Sequence, residues 1–155
     1  MSSVSSDLQQ MVWYFAYGSN LNKNQMRTRV GDWSACRKAT LRNWELLFNV
    51  KSRKWGKFAA NIRGAGTQDK VWGVVYQITK KQLDVLTKCE GVAPTPVAVE
   101  TANGDEPAYA YVFNVSREAG RAPELYWQTI EQGLRQHEYD ESVIDEVGRI
   151  AQSGQ

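Results

Sequence analysis

Apolar residues along this chain fall into short blocks separated by polar punctuation, and the spacing within each block selects strand or helix. Val12 to Tyr17 is a continuous apolar and aromatic run that stops at Gly18-Ser19-Asn20 and reads as a buried strand. Asn22 with Gln25 three residues later is a capping-box pattern, so a short helix is expected through about Val30. Ala39 to Val50 and Phe58 to Ile62 read as strands, with the basic KSRKWGK between them as an exposed loop or hairpin end. Val71 to Ile78, rich in β-branched and aromatic residues, is the clearest strand. Thr79 and Gln82 make a second capping box, opening a helix in which Leu83 and Leu86 share a face and Gly91 is a natural stop. Val97 to Thr101 and Ala108 to Val115 read as strands joined by ANGDEP, whose Asn103-Gly104 is a hairpin turn pair. Beyond the loop SREAGRAP the pattern turns helical. Pro123 suits a first helical turn, with Leu125, Ile130 and Leu134 as apolar anchors, and Asp140 caps a last helix carrying Val143, Ile144, Val147 and Ile150.

This order of elements predicts an α+β fold, a curved, barrel-like mixed β-sheet with surrounding α-helices. With 155 residues and no internal repeat or dividing linker, the expectation is one domain over residues 12–152, behind a disordered lead over residues 1–11. A net charge of +2 names neither a nucleic-acid nor a membrane partner, and no apolar run reaches membrane-spanning length. Cys36 and Cys89 fit no zinc spacing and no disulfide framework, which together with the lack of a signal-peptide pattern makes a cytoplasmic location the expectation.

Candidate chemistry is sparse. The single histidine, His137, lies in a polar stretch and reads as a solvated side chain, and one histidine excludes a multi-histidine metal site. Cys89 reads as a small buried side chain of its helix rather than a nucleophile. KSRKWGKF, Lys51 to Phe58, reads as a solvated hairpin end rather than a nucleic-acid surface, because one basic patch on a nearly neutral chain makes little electrostatic funnel. No phosphate-loop or dinucleotide fingerprint occurs. Two features keep two readings each. The Gly18-Ser19-Asn20 turn is either a plain connection or an anion cradle whose backbone N–H groups point at a carboxylate or phosphate. Glu90 ends its helix at the negative end of the helix dipole, where a carboxylate is structurally disfavoured by about 0.3–1 kcal/mol and its pKa is raised. That position is either incidental or suited to a general base.

The strand YFAYGSNL at Tyr14 to Leu21, the strand VWGVVYQI at Val71 to Ile78 and the helix ending CEGV at Cys89 to Val92 together resemble the γ-glutamylcyclotransferase family. The resemblance extends over most of residues 12–150 and includes AYVF at Ala110 to Phe113 and a helix led by Tyr126 with Gly133. It implies the γ-glutamyl cyclotransferase-like fold and release of 5-oxoproline from a γ-glutamyl amino acid or γ-glutamylamine, with no cofactor, by a monomer or homodimer. Carried onto this chain, it implies that Tyr17, Gly18, Ser19 and Asn20 cradle the substrate α-carboxylate, that Glu90 is catalytic acid and base, and that Tyr126 and Tyr111 contact or line the pocket. The chain departs from the family at Pro94-Thr95-Pro96-Val97, where an aromatic residue is usual, and this leaves a non-catalytic, carboxylate-binding role on the same fold as the alternative. If Ala93 to Val97 surrounds the leaving amine, that wall carries no positive charge, and only Arg117 and Arg121 in the later loop could reach in. Weak discrimination between amines and amino acids is then expected.

Overall fold

The computed structural model describes residues 10–155. Its strands are β1 (Met11–Ala16), β2 (Ala35–Arg42), β3 (Trp44–Ser52), β4 (Gly56–Gly64), β5 (Lys70–Thr79), β6 (Pro94–Thr101) and β7 (Gly104–Tyr111). Its helices are α1 (Lys23–Val30), α2 (Lys80–Glu90), α3 (Glu124–Gln136) and α4 (Glu141–Ser153), with a 3-10 turn at Ser19–Leu21 between β1 and α1. Five strands close a barrel in the order β1-β5-β2-β6-β7, and β3 with β4 forms a separate two-stranded hairpin. The barrel is mixed, because β1 meets β7 in parallel at Tyr14 and Tyr109 while the other neighbours run antiparallel. The expected barrel-like mixed sheet with surrounding helices is the fold observed.

One of the two expected capping boxes forms in full and the other in half. Thr79 and Gln82 cap α2 reciprocally, and Gly91 ends it in the left-handed conformation at φ 78°. Asn22 caps α1 by accepting from the amides of Asn24 and Gln25, but Gln25 does not return the bond: its side-chain carbonyl accepts from Lys54 instead.

Four boundaries differ from expectation. The run Ala39 to Val50 is not one strand: Asn43, at φ 70°, turns the chain between β2 in the barrel and β3 in the hairpin. Asparagine tolerates that left-handed conformation better than other residues with a side chain. The turn between β6 and β7 is only Ala102-Asn103, so Gly104 to Pro107, read as loop, are strand. Strand β6 begins earlier than expected, and its Pro94 and Pro96 are tolerated because β6 pairs along its length with β7 alone and meets β2 only at Thr40 and Glu100. Met11 already belongs to β1, so the strand reaches into the expected lead, whose residues 1–9 lie outside the described residues.

Strand register puts Phe15, Leu41, Val75 and Val99 on one face of the barrel wall and Val74, Tyr76 and Ile78 on the other, where Tyr76 meets the 3-10 turn, and all seven are essentially without exposure. Packing against one end of the barrel, α3 comes so close to the 3-10 turn that a Cβ on Gly133 would lie 2.6 Å from the Asn22 amide nitrogen and 2.6 Å from the Leu21 carbonyl carbon. Only a residue without Cβ permits that approach. No helix among the described residues is long and apolar enough to cross a membrane.

Candidate functional site

A cleft of about 550 Å³ opens where β1, the 3-10 turn, the end of α2, the start of α3 and the tip of the β3–β4 hairpin converge. Tyr17, Gly18, Ser19, Asn20, Glu90, Tyr111 and Tyr126 all line it, so residues far apart in the chain meet in one place.

The turn is held from below. Tyr76 sends its hydroxyl proton to the Asn20 carbonyl at 2.7 Å, and the Asn20 amide nitrogen donates to the Tyr14 hydroxyl at 2.9 Å. The Asn20 side-chain oxygen is buried and has no donor. Gly18 sits under Tyr126: a Cβ there would stand 3.0 Å from the Tyr126 hydroxyl. That hydroxyl accepts the Ala60 N–H at 2.9 Å, fixing α3 to β4. Tyr17 and Tyr111 are tied together, the Tyr17 hydroxyl donating to the Tyr111 carbonyl at 2.5 Å. The Tyr111 hydroxyl bonds the Leu83 carbonyl and the Thr87 hydroxyl of α2, which carries Glu90.

Glu90 is the cleft's acid. Burial raises its pKa above the usual carboxylate value, and the guanidinium of Arg29 partly offsets the rise. Arg29 Nη1 lies 3.1 Å from Glu90 Oε1, and the two side chains are only 16% and 21% exposed. Removal from water is thus the first cause of the perturbation that sequence position had assigned partly to the helix dipole. The carboxylate in turn raises the pKa of Tyr14, Tyr17, Tyr111 and Tyr126, after the larger effect of their own burial, and Tyr111 is pushed up to about 12. These phenols stay protonated around the Glu90 carboxyl.

Arg29 was not anticipated, since it lies on the polar face of α1 and meets Glu90 only through the packing of α1 on α2. The tip KSRKW is the exposed hairpin end expected, with Lys51, Arg53 and Lys54 exposed, and what was not expected is that Lys51, Ser52, Arg53, Lys54 and Trp55 also line the cleft. Ala93 to Val97 are absent from the lining, and Arg117 lies over the ring of Phe58, outside it. The wall past the acid is therefore basic rather than uncharged.

His137 is buried, not solvated. Its Nε2 donates to the Leu21 carbonyl at 2.9 Å, and its Nδ1 lies 3.7 Å from Cys36 Sγ, placed to accept the thiol proton. Burial lowers its pKa to about 4 and raises that of Cys36 to about 11, so both are neutral props of the turn at ordinary pH. Cys89, expected to be buried, is exposed on the cleft rim. Among the described residues no group of three His, Cys, Asp or Glu side chains comes together as metal ligands.

Residues 14–129 match the model of a family described as gamma-glutamyl cyclotransferase, AIG2-like. Two curated relatives, each called gamma-glutamylcyclotransferase, are similar along most of their length. The mouse protein is 27% identical, with 92% of this chain and 88% of that protein covered, and the bovine protein is 28% identical over the same shares. A solved structure titled gamma-glutamyl cyclotransferase superposes with a TM-score of 0.84 at 24% identity, covering 94% of this chain and 91% of the other, and at that identity the likeness speaks for the fold. A crystal structure of an uncharacterized human protein gives 0.83 at 25% identity, covering 95% and 92%.

Proposed function

The chain belongs to the gamma-glutamyl cyclotransferase, AIG2-like family, and we propose that it releases 5-oxoproline from a γ-glutamyl amino acid or γ-glutamylamine, with Glu90 as the proton carrier. The observation that carries this reading is the placement of a buried carboxyl of raised pKa in the same cleft as the Gly18-Ser19-Asn20 turn.

The chemistry needs two things from the protein. The γ-glutamyl group must be bent so that its α-nitrogen faces its own γ-carbonyl, and protons must move from the first nitrogen to the departing one. For the first, the turn of Gly18 to Asn20 receives the α-carboxylate, and Tyr126, anchored on Ala60, closes the space above Gly18. The donor-free Asn20 oxygen is a buried acceptor awaiting an N–H, which the α-ammonium supplies. Holding the two ends in contact turns ring closure into a step already paid in entropy. For the second, Glu90 takes a proton from the α-ammonium, the freed nitrogen attacks the γ-carbonyl carbon, and a five-membered C–N bond forms. As the tetrahedral centre collapses, the original amide C–N bond breaks. Two protons leave the α-nitrogen over the sequence and two arrive on the leaving nitrogen. One carboxyl carries them in turn, and a pKa raised above the usual carboxylate value suits it to both tasks.

Arg29 is a positioning residue in this scheme: it holds the Glu90 carboxylate in one orientation and limits how far burial raises its pKa. The test is incubation of the purified protein with a panel of γ-glutamyl amino acids and γ-glutamylamines, with 5-oxoproline followed by mass spectrometry. Release from at least one compound is expected, and silence across the panel would reject the reading.

A further inference from the structure

The cations of the cleft outnumber its acid. Arg29, Lys51, Arg53, Lys54 and Lys88 line it against Glu90 alone, and Arg29 is already paired with Glu90. The γ-glutamyl head group cannot absorb the surplus, because its α-ammonium and α-carboxylate neutralise each other. What remains faces the part of the substrate beyond the scissile bond.

The hairpin tip is fastened over the cleft. Lys54 Nζ donates to Gln25 Oε1 of α1 at 2.9 Å, and the Trp55 ring lies 5.2 Å from that of Tyr126 on α3. The Ser52 hydroxyl accepts the Trp55 N–H at 3.1 Å, closing the turn between them. The tip is thus a strap joining two helices. Its Trp55, which lines the cleft, has a buried Nε1 without an acceptor, and so does Nε2 of Gln25, the α1 residue to which Lys54 is tied. Buried N–H groups with no partner are costly, and they are satisfied by an acceptor that arrives with a ligand. Orphan donors beside unpaired cations describe the chemistry of an anion subsite.

We propose that the tip of the β3–β4 hairpin selects γ-glutamyl compounds whose departing amine carries carboxylates, and that an acidic leaving residue, as in γ-glutamyl-glutamate, is favoured over a neutral one and over an alkylamine. This rests on the reading that the cleft takes a γ-glutamyl substrate. It reverses the weak discrimination expected when Ala93 to Val97 was taken as the wall of that subsite.

The experiment is the kcat/KM series for γ-glutamyl-glutamate, γ-glutamyl-alanine and γ-glutamyl-propylamine, with the wild-type protein and with Lys51→Gln/Arg53→Gln. Neither of these side chains makes a hydrogen bond or ion pair among the described residues, so the fold is expected to survive. In wild type, kcat/KM rises about fivefold with each added carboxylate at low salt, and the steps shrink in concentrated NaCl. In the double variant, γ-glutamyl-glutamate loses about tenfold while γ-glutamyl-propylamine stays within about twofold. A flat or inverted wild-type series overturns the proposal, as does a ladder that survives the substitutions or an equal loss on all three compounds. If none of the three is turned over, it is the proposed reaction that fails. Calorimetric Kd values for the same compounds then judge the subsite alone: a ladder that collapses in the double variant sustains it, and equal affinities overturn it.

Discussion

Replacing Gly133 with alanine perturbs the site without touching any residue that lines it. The added methyl would stand 2.6 Å from the Asn22 amide nitrogen and the Leu21 carbonyl carbon, where ordinary contact begins near 3.4 Å. Helix α3 and the turn must then separate by up to about 0.8 Å, since both atoms are backbone and neither can rotate aside. Overpacking of this kind costs about 1–3 kcal/mol, a drop of several degrees in melting temperature for a domain of this size. The turn carries Ser19 and Asn20, and Tyr126 lies two helical turns before Gly133 on the same face, so the displacement alters the distance between the two sides of the cradle. A misplacement approaching 1 Å costs about 10²-fold in rate, so a fall in kcat/KM of about 10- to 100-fold is expected. Thermal unfolding and 5-oxoproline release are measured together, with Gly64→Ala as control, because a Cβ at Gly64 meets nothing within 4 Å. If Gly133→Ala melts like the wild type and keeps kcat/KM within about twofold, α3 and the turn do not fix one another.

Other consequences follow from the same contacts. Arg29→Gln removes the group that lowers the Glu90 pKa, so the carboxylate protonates at higher pH and the acid limb of the kcat/KM profile moves upward; an unmoved limb would uncouple the pair from catalysis. Tyr126→Phe strands the buried Ala60 N–H and lowers stability by about 1–3 kcal/mol, read by urea unfolding. His137 has a folded pKa near 4, below its ordinary 6.5, so the stability it permits is complete above the unfolded value and declines as pH falls. Between pH 7.5 and pH 5 that loss amounts to about 2 kcal/mol, and it is absent in a folded His137→Gln variant.

What could be read from the chain was local. The Thr79 and Gln82 capping box, Gly91 as a helix stop and Glu90 just before it are all set within one turn of helix, so spacing alone places them. The Gly18-Ser19-Asn20 turn was legible for the same reason, as a small-residue interruption between an apolar strand and a capped helix. The missed features are made by chain segments that meet only in three dimensions. His137 looks solvated beside Gln136 and Glu138, yet the packing of α3 on the 3-10 turn buries it against Leu21 and Tyr76. Arg29 finds Glu90 across 61 positions of chain. The basic tip has the composition of an exposed loop, and only the tethering of Lys54 to Gln25 and the tilted contact of the Trp55 ring with that of Tyr126 show that it overhangs the cleft.

The central claim is that the Glu90 carboxyl moves the protons of ring closure, and Glu90→Gln addresses it with the least disturbance. The amide keeps the shape and can still accept a hydrogen bond from Arg29, but it cannot take a proton. With melting temperature and γ-glutamyl ligand binding retained, kcat for 5-oxoproline release is expected to fall by about 10²–10⁴-fold, the usual contribution of general acid–base catalysis. A folded, ligand-binding Glu90→Gln protein that releases 5-oxoproline at a rate within about tenfold of the wild type would contradict it.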